Sequence, residues 1–417
     1  VPEFGVRLKN RFESLPYSSL GLCLLLSAPL AACGDDGAND DEADSASETA
    51  GETQTEAGES ESDESGSSES ESGETETSED TGSGESDVGE TESGDTDTDT
   101  TGGEENELPE WVGGVNLSGG EFGSSYPGDY GFDYVYPTHD HTQHFIDQGM
   151  TVFRIPFRWA RIQYDLYGEL QQEELDRLID LTSFITDQGG YAILDVHDYA
   201  HRGGNIVGSE ELPNDTLADL WSRLSVEFAD DDHVWFGLMN EPYGISAEQW
   251  LSAANDSIAA IREAGASNAI LVPGVRWTGA HSWYAGDEGS NAAVMGGVVD
   301  PANNLVFELH QYLDSDSSGT NHEQCMSETI GSERLAGVTG WLRDNGYRGL
   351  LGEFAGADNE TCEAAIIDML QYMQDNQDAW LGFTWWATGM WWGDYPFSIA
   401  PDGDTPAPQT EWLIPYL

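Results

Sequence analysis

The sequence predicts an α/β fold, a (β/α)8 barrel of the TIM type, over residues 108–417. Three observations carry that expectation. Short apolar runs recur eight times in this stretch, with helical patterns between them. Eight strand–helix repeats in about 300 residues fit closure into a ring better than an open sheet. All 14 tryptophans of the 417-residue chain also fall here, so there is apolar material for one large core.

The strands are read at 111–116, 151–156, 191–196, 234–239, 269–273, 305–309, 349–352 and 382–386. Apolar residues at three- and four-residue spacing mark the helices. Leu175, Leu178, Ile179 and Phe184 mark one. Leu217, Leu220, Trp221 and Leu224 mark the next, with Asn214 or Asp215 as its N-cap. Trp250, Ile258 and Ile261 mark a third, and Ile366, Leu370 and Met373 a fourth.

Residues 1–33 read as an export signal. Arg7, Lys9 and Arg11 precede the apolar run Leu20–Ala32, which is too short to span a bilayer. The run ends Leu30-Ala31-Ala32-Cys33, which looks like a bacterial lipobox, so Cys33 is the expected lipidation site. Residues 34–107 hold 29 acidic side chains, no Lys or Arg and no aromatic residue. Such a segment has too little apolar surface to offset chain entropy and is expected to be a disordered tether. A neutral flexible chain of this length spans about 50 Å, and like charges stretch it further.

Charge narrows the function. Residues 108–417 carry 48 acidic side chains against 11 arginines and no lysine. A domain this acidic is repelled by nucleic acid and by anionic lipid headgroups. No run reaches 18 apolar residues, so the expected membrane attachment is the lipid anchor alone. The self-repulsion also predicts a domain whose stability rises with salt, the alternative being an acidic excess that reflects codon bias and an acidic secretome. Cys325 and Cys362 are the two cysteines of this part. In an exported domain they read as one disulfide.

Chemistry in such a barrel sits at the C-terminal strand ends. Arg154, His197, Asn240, Glu241, His310, Tyr312, Glu353 and Trp386 stand there. Two of them are carboxylates, Glu241 after the fourth strand and Glu353 at the seventh. A carboxylate pair about 5–5.5 Å apart flanking one bond is the arrangement of a retaining glycosidase. The two must differ in proton affinity. Arg154 is suited to keeping Glu353 ionised, and Tyr312 to hydrogen-bonding it. Asn240 is placed to donate to a sugar 2-hydroxyl. Trp386 offers a flat face for a pyranose, and Trp159, Trp277, Trp283, Trp391 and Trp392 are candidates to extend that platform.

The stretches Phe153-Arg154-Ile155-Pro156, Asp195-Val196-His197-Asp198-Tyr199-Ala200, Trp235-Phe236-Gly237-Leu238-Met239-Asn240-Glu241-Pro242, His310-Gln311-Tyr312-Leu313-Asp314-Ser315-Asp316 and Gly352-Glu353-Phe354 resemble glycoside hydrolase family 5, the cellulase family. The similarity spans about residues 111–400 and is greatest to the branch with fungal endo-β-1,4-glucanases. It implies Glu241 as acid/base and Glu353 as nucleophile. It places Arg154, His197, Asn240, His310 and Tyr312 at the subsite of the cleaved bond with Trp386 beneath the sugar, and Tyr199 and Trp277 are further substrate-binding candidates. That branch also has a cysteine shortly after the His-x-Tyr-Leu-Asp-Ser-Asp run, matching Cys325. Two departures stand out. The branch commonly has His-Asn-Tyr-Ala-Arg where this chain reads His197-Asp198-Tyr199-Ala200-His201, and often Thr where it has Gly352.

The expectation is therefore an endo-β-1,4-glucanase acting by retention, needing no metal or cofactor. It is expected as a monomer, tethered to a bacterial outer membrane or released outside the cell. The alternatives are another β-glycanase on the same scaffold (a mannanase, xyloglucanase or mixed-linkage glucanase) or a non-catalytic glycan-binding protein.

Overall fold

Eight parallel strands close into a barrel: β1 Val112–Leu117, β2 Val152–Phe157, β3 Tyr191–Val196, β4 Val234–Gly237, β5 Ile270–Pro273, β6 Leu305–His310, β7 Gly349–Glu353 and β8 Trp380–Thr388. Each pairs with its chain neighbour, and β1 pairs with β8 to complete the ring. The structure is a computed structural model and describes residues 108–403 and 405–417. The export signal, Cys33 and the acidic segment lie outside the described residues.

The strands are apolar runs with polar exceptions, and the exceptions define the interior. Val112, Val152, Ile193, Trp235, Leu271, Val306, Leu350 and Leu381, one per strand, pack into a closed apolar floor. Side chains two residues apart on a strand share a face. Above Val152, Ile193 and Val306 that rule places Arg154, Asp195 and Glu308, all fully buried. One step higher come Asn116, His197 and His310. The interior thus changes from hydrocarbon to charge within one layer. Gly352 makes room for this layer, because a Cβ there would come within 2.6 Å of Glu308 Oε1.

The four helices read from periodicity are Gln172–Thr186, Asn214–Phe228, Ala247–Glu263 and Glu360–Gln374. The first buries Leu175, Leu178, Leu181 and Ile185, so its inner face is turned slightly from Ile179 and Phe184. The second begins at Asn214 with Pro213 in the capping position, rather than being capped by Asn214 or Asp215. Proline presets the backbone there and has no amide hydrogen to leave unpaired. Further helices at His139–Ile146 and Ile330–Asn345 follow β1 and β6. Between β5 and β6 the chain makes only short turns, Ala280–Ser282, Asp287–Gly289, Asn291–Val294 and Met295–Gly297.

Cys325 and Cys362 form the expected disulfide, joining the loop after β6 to the helix Glu360–Gln374 across 37 residues. Closing a loop of that length removes unfolded-state entropy worth about 3–4 kcal/mol. The Cys325→Ser/Cys362→Ser variant should lose about that much in urea unfolding. An unchanged midpoint would show that the bond adds nothing to equilibrium stability.

Candidate active site

The two carboxylates reach the mouth from different backbones. Glu353 is the last residue of β7. Glu241 lies four residues beyond β4, but the chain keeps to the barrel: Leu238 N–H donates to Leu271 O at 3.1 Å and Asn240 N–H to Val196 O at 2.8 Å. Glu241 has φ 42°, a left-handed conformation that costs a non-glycine residue about 1–3 kcal/mol. Tyr199, Ala200, Arg276, Trp277 and Thr278 share that conformation at the same end of the barrel. Oxygens of Glu241 and Glu353 and a nitrogen of His310 all lie within 4.8 Å of one another.

Beneath them, Arg154 is the hub. Its guanidinium lies 2.8 Å from Glu308, 3.1 Å from Asp195 and 3.1 Å from Glu353. It also donates to Asn116 Oδ1 at 2.9 Å and to Asn240 Oδ1 at 2.7 Å. One cation therefore serves three carboxylates. Tyr312 donates its hydroxyl to Glu353 Oε2 at 2.8 Å. The expected contacts to Glu353 are present, but they do not set its proton affinity. Burial pushes the Glu353 carboxyl up to about 7; His310 opposes this, Glu241 adds like-charge repulsion, and Arg154 and Tyr312 pull back without prevailing.

The two histidines differ in charge. His197 Nδ1 faces Asp195 at 2.7 Å, and its Nε2 meets the Asn240 amide at 3.2 Å. Burial and the nearby arginines push its pKa well down, so it is neutral. His310 Nδ1 faces Glu241 at 2.8 Å and its Nε2 faces Glu308 at 3.1 Å. Carboxylates on both sides raise it to about 10 against its burial, so it is an imidazolium at neutral pH. Asn240 has no exposed surface; its amide is held between Arg154 and His197.

A cleft of about 620 Å³ opens above, lined by Tyr199, Glu241, Trp277, His310 and Tyr312 and by the loop 316–320. The Asp314 carboxylate shapes that loop, accepting from the backbone of Gly319 and Asn321 at 3.1 Å each. Trp386 stacks on His197 with centroids 5.4 Å apart and meets Trp392 edge-on. Trp277 is 52% exposed and lies parallel to Tyr243 at 5.4 Å. Trp391 is exposed as well. Trp159 and Trp283 are not part of any platform. Both are fully buried, the first under Arg202 and the second against Trp341 and Phe307. Asp198 brings little charge to the cleft: it pairs with Arg158 at 3.2 Å and accepts from Trp159 N–H at 2.6 Å.

The cellulase profile, glycosyl hydrolase family 5, matches residues 111–389. The chain belongs to this family. It is therefore a glycoside hydrolase. Endo-beta-1,4-glucanase A of Emericella nidulans is 42% identical over 311 residues, covering 74% of this chain and 92% of that protein. The crystal structure of the endo-beta-1,4-glucanase Xac0029 from Xanthomonas axonopodis pv. citri superposes with a TM-score of 0.72 at 46% identity, covering 73% of this chain and 98% of that one. A structure of XacCel5A in complex with cellopentaose matches with the same TM-score at 48% identity, covering 73% and 99%.

Of the strand-end residues singled out from the sequence of this family-5 chain, Glu241, His310 and Tyr312 line the cleft, Glu353 contacts Tyr312 and Arg154, His197 stacks on Trp386, and Arg154 and Asn240 are fully buried. Three participants were missed: Asn116, Asp195 and Glu308. Two of them carried a readable signal. Asp195 and Glu308 each stand two residues before a strand-end histidine, inside an apolar run. An acidic residue in that position must face the barrel interior with it.

Proposed function

We propose that the protein is an endo-β-1,4-glucanase that cleaves internal bonds with retention of configuration. The separation of the carboxylates carries this reading. One oxygen of Glu241 and one of Glu353 lie within 4.8 Å of each other, which suits the roughly 5–5.5 Å spacing of retaining pairs better than the roughly 6.5–9.5 Å by which inverting enzymes admit water. Glu353, whose oxygens are positioned by Arg154 and Tyr312, attacks the anomeric carbon and forms a glycosyl ester. Glu241 gives its proton to the departing glycosidic oxygen. Glu241 then takes a proton from water, which attacks the same carbon and releases Glu353. Trp386 lies beneath the reacting sugar and Trp277 flanks the cleft. The names of the relatives and the cellopentaose bound by XacCel5A support a β-1,4-glucan as substrate. In the same reading, residues 1–33 direct export with lipidation at Cys33, residues 34–107 tether, and residues 108–417 form the catalytic domain.

Reducing-sugar release should be highest on carboxymethyl cellulose in a panel with mannan, xyloglucan and mixed-linkage glucan. The first product seen by NMR should be the β-anomer. Faster turnover of mannan, an α-anomer first, or binding without turnover would each replace this reading. Acidity supplies a second expectation. Glu353 attacks only as the carboxylate, and its pKa is raised, so the protonated form prevails at low pH. The kcat/KM profile should rise with pH through an apparent pKa near 7. A plateau already reached at pH 5 would contradict that.

A further inference from the structure

The chain repeats one device on two strands. On β3, Asp195 stands two residues before His197; on β6, Glu308 stands two residues before His310. Each carboxylate meets the histidine that follows it in the chain, at 2.7 Å and 3.1 Å. The second nitrogen distinguishes them. For His197 it meets an amide and the Tyr199 hydroxyl. For His310 it meets the Glu241 carboxylate at 2.8 Å, with Glu353 at 3.6 Å. An imidazole flanked by carboxylate oxygens at both nitrogens can donate to both when it carries two protons.

We propose that Glu308 is a positioning residue that keeps His310 an imidazolium between Glu241 and Glu353, and so favours the ionised form of Glu353. This rests on the reading of Glu241 and Glu353 as the reacting pair. Glu308 is fully buried; its Oε1 is 2.8 Å from Arg154 Nε and 3.1 Å from His310 Nε2. The other charged or titratable groups facing His310 are Glu241 after β4, Glu353 on β7, and Arg154, Asp195 and His197 from β2 and β3. The raised pKa of His310 agrees with this arrangement, since the side chain of Glu308 contributes to it.

The substitution Glu308→Gln keeps the shape and removes the charge. It has two opposed consequences for Glu353. Losing a negative neighbour makes Glu353 easier to ionise. Losing the proton of His310, 3.6 Å away, makes it harder. The second effect wins only if Glu308 was what held that proton, so the sign of the shift tests the proposal. The acid limb of kcat/KM should move up by about one unit, roughly a tenfold loss at pH 6 with near-normal activity at pH 8.5. A packing defect would instead lower activity evenly at all pH. A limb that stays or moves down overturns the proposal. Nitrogen-15 NMR of histidine-labelled full-length wild type gives a measurement free of both catalysis and the variant's folding. His310 should show two protonated nitrogens from pH 6 to 8. A neutral His310 there overturns the proposal, whereas an active Glu353→Gln enzyme would overturn the underlying reading instead.

Discussion

Glu353→Gln should lower kcat/KM on a β-1,4-glucan by about four orders of magnitude or more, the scale on which removing a covalent nucleophile is felt. The fold should survive. The amide keeps the size of the carboxylate, and Arg154 retains Asp195 and Glu308 as counter-charges. Glu241→Gln removes only proton transfer, which is worth about 10²–10⁴. Its deficit should therefore depend on the leaving group: large for cellulose, much smaller for an aryl cellobioside whose phenol departs unaided. That contrast separates the two roles. Equal losses on both substrates for both variants would show that the carboxylates are not divided into acid and nucleophile. Near-wild-type turnover by either variant would remove that residue from the reaction.

Arg154→Met should be the most damaging change outside the carboxylate pair, and the damage should be structural as well as catalytic. It leaves Asp195, Glu308 and Glu353 buried together without the guanidinium they share. Breaking a buried ion pair from one side costs about 3–5 kcal/mol. Three carboxylates place this case at the upper end. The thermal midpoint should fall by roughly 6–10 °C for a domain of this size. Raising pH should widen the difference, because the stranded carboxyls survive best when protonated. A variant melting with wild type at pH 8 would show that the hub contributes no net stability. Arg154→Lys should be only a partial repair, since an ammonium cannot spread donors toward three acids and two amides.

Much of this was legible in the chain. The eight strands were readable because buried parallel strands are continuous apolar runs, and runs of that kind stand out against acidic surroundings. Glu241 and Glu353 were readable because a strand end in a closed barrel faces the mouth. Trp159 and Trp283 were misjudged as platform candidates for a physical reason: a tryptophan is equally at home in a core or under a sugar, and only packing decides which. The turns between β5 and β6 escaped because the stretch 279–297 has no helical apolar period and is rich in glycine. The proton affinity of Glu353 was out of reach. Its neighbours could be guessed, but the burial that outweighs them belongs to the assembled barrel.

The Cys325–Cys362 bond has a bearing on catalysis as well as on folding energy. It fastens the end of the segment whose residues 316–320 wall the cleft, while none of the hydrogen bonds that close the ring pass through it. A reductant acting at moderate temperature would slacken the wall and leave the chemistry in working order. Such an enzyme would first lose its grip on long chains, with KM climbing while kcat held. Export into an oxidising environment would then preserve its capture of dilute polymer before it preserved its shape.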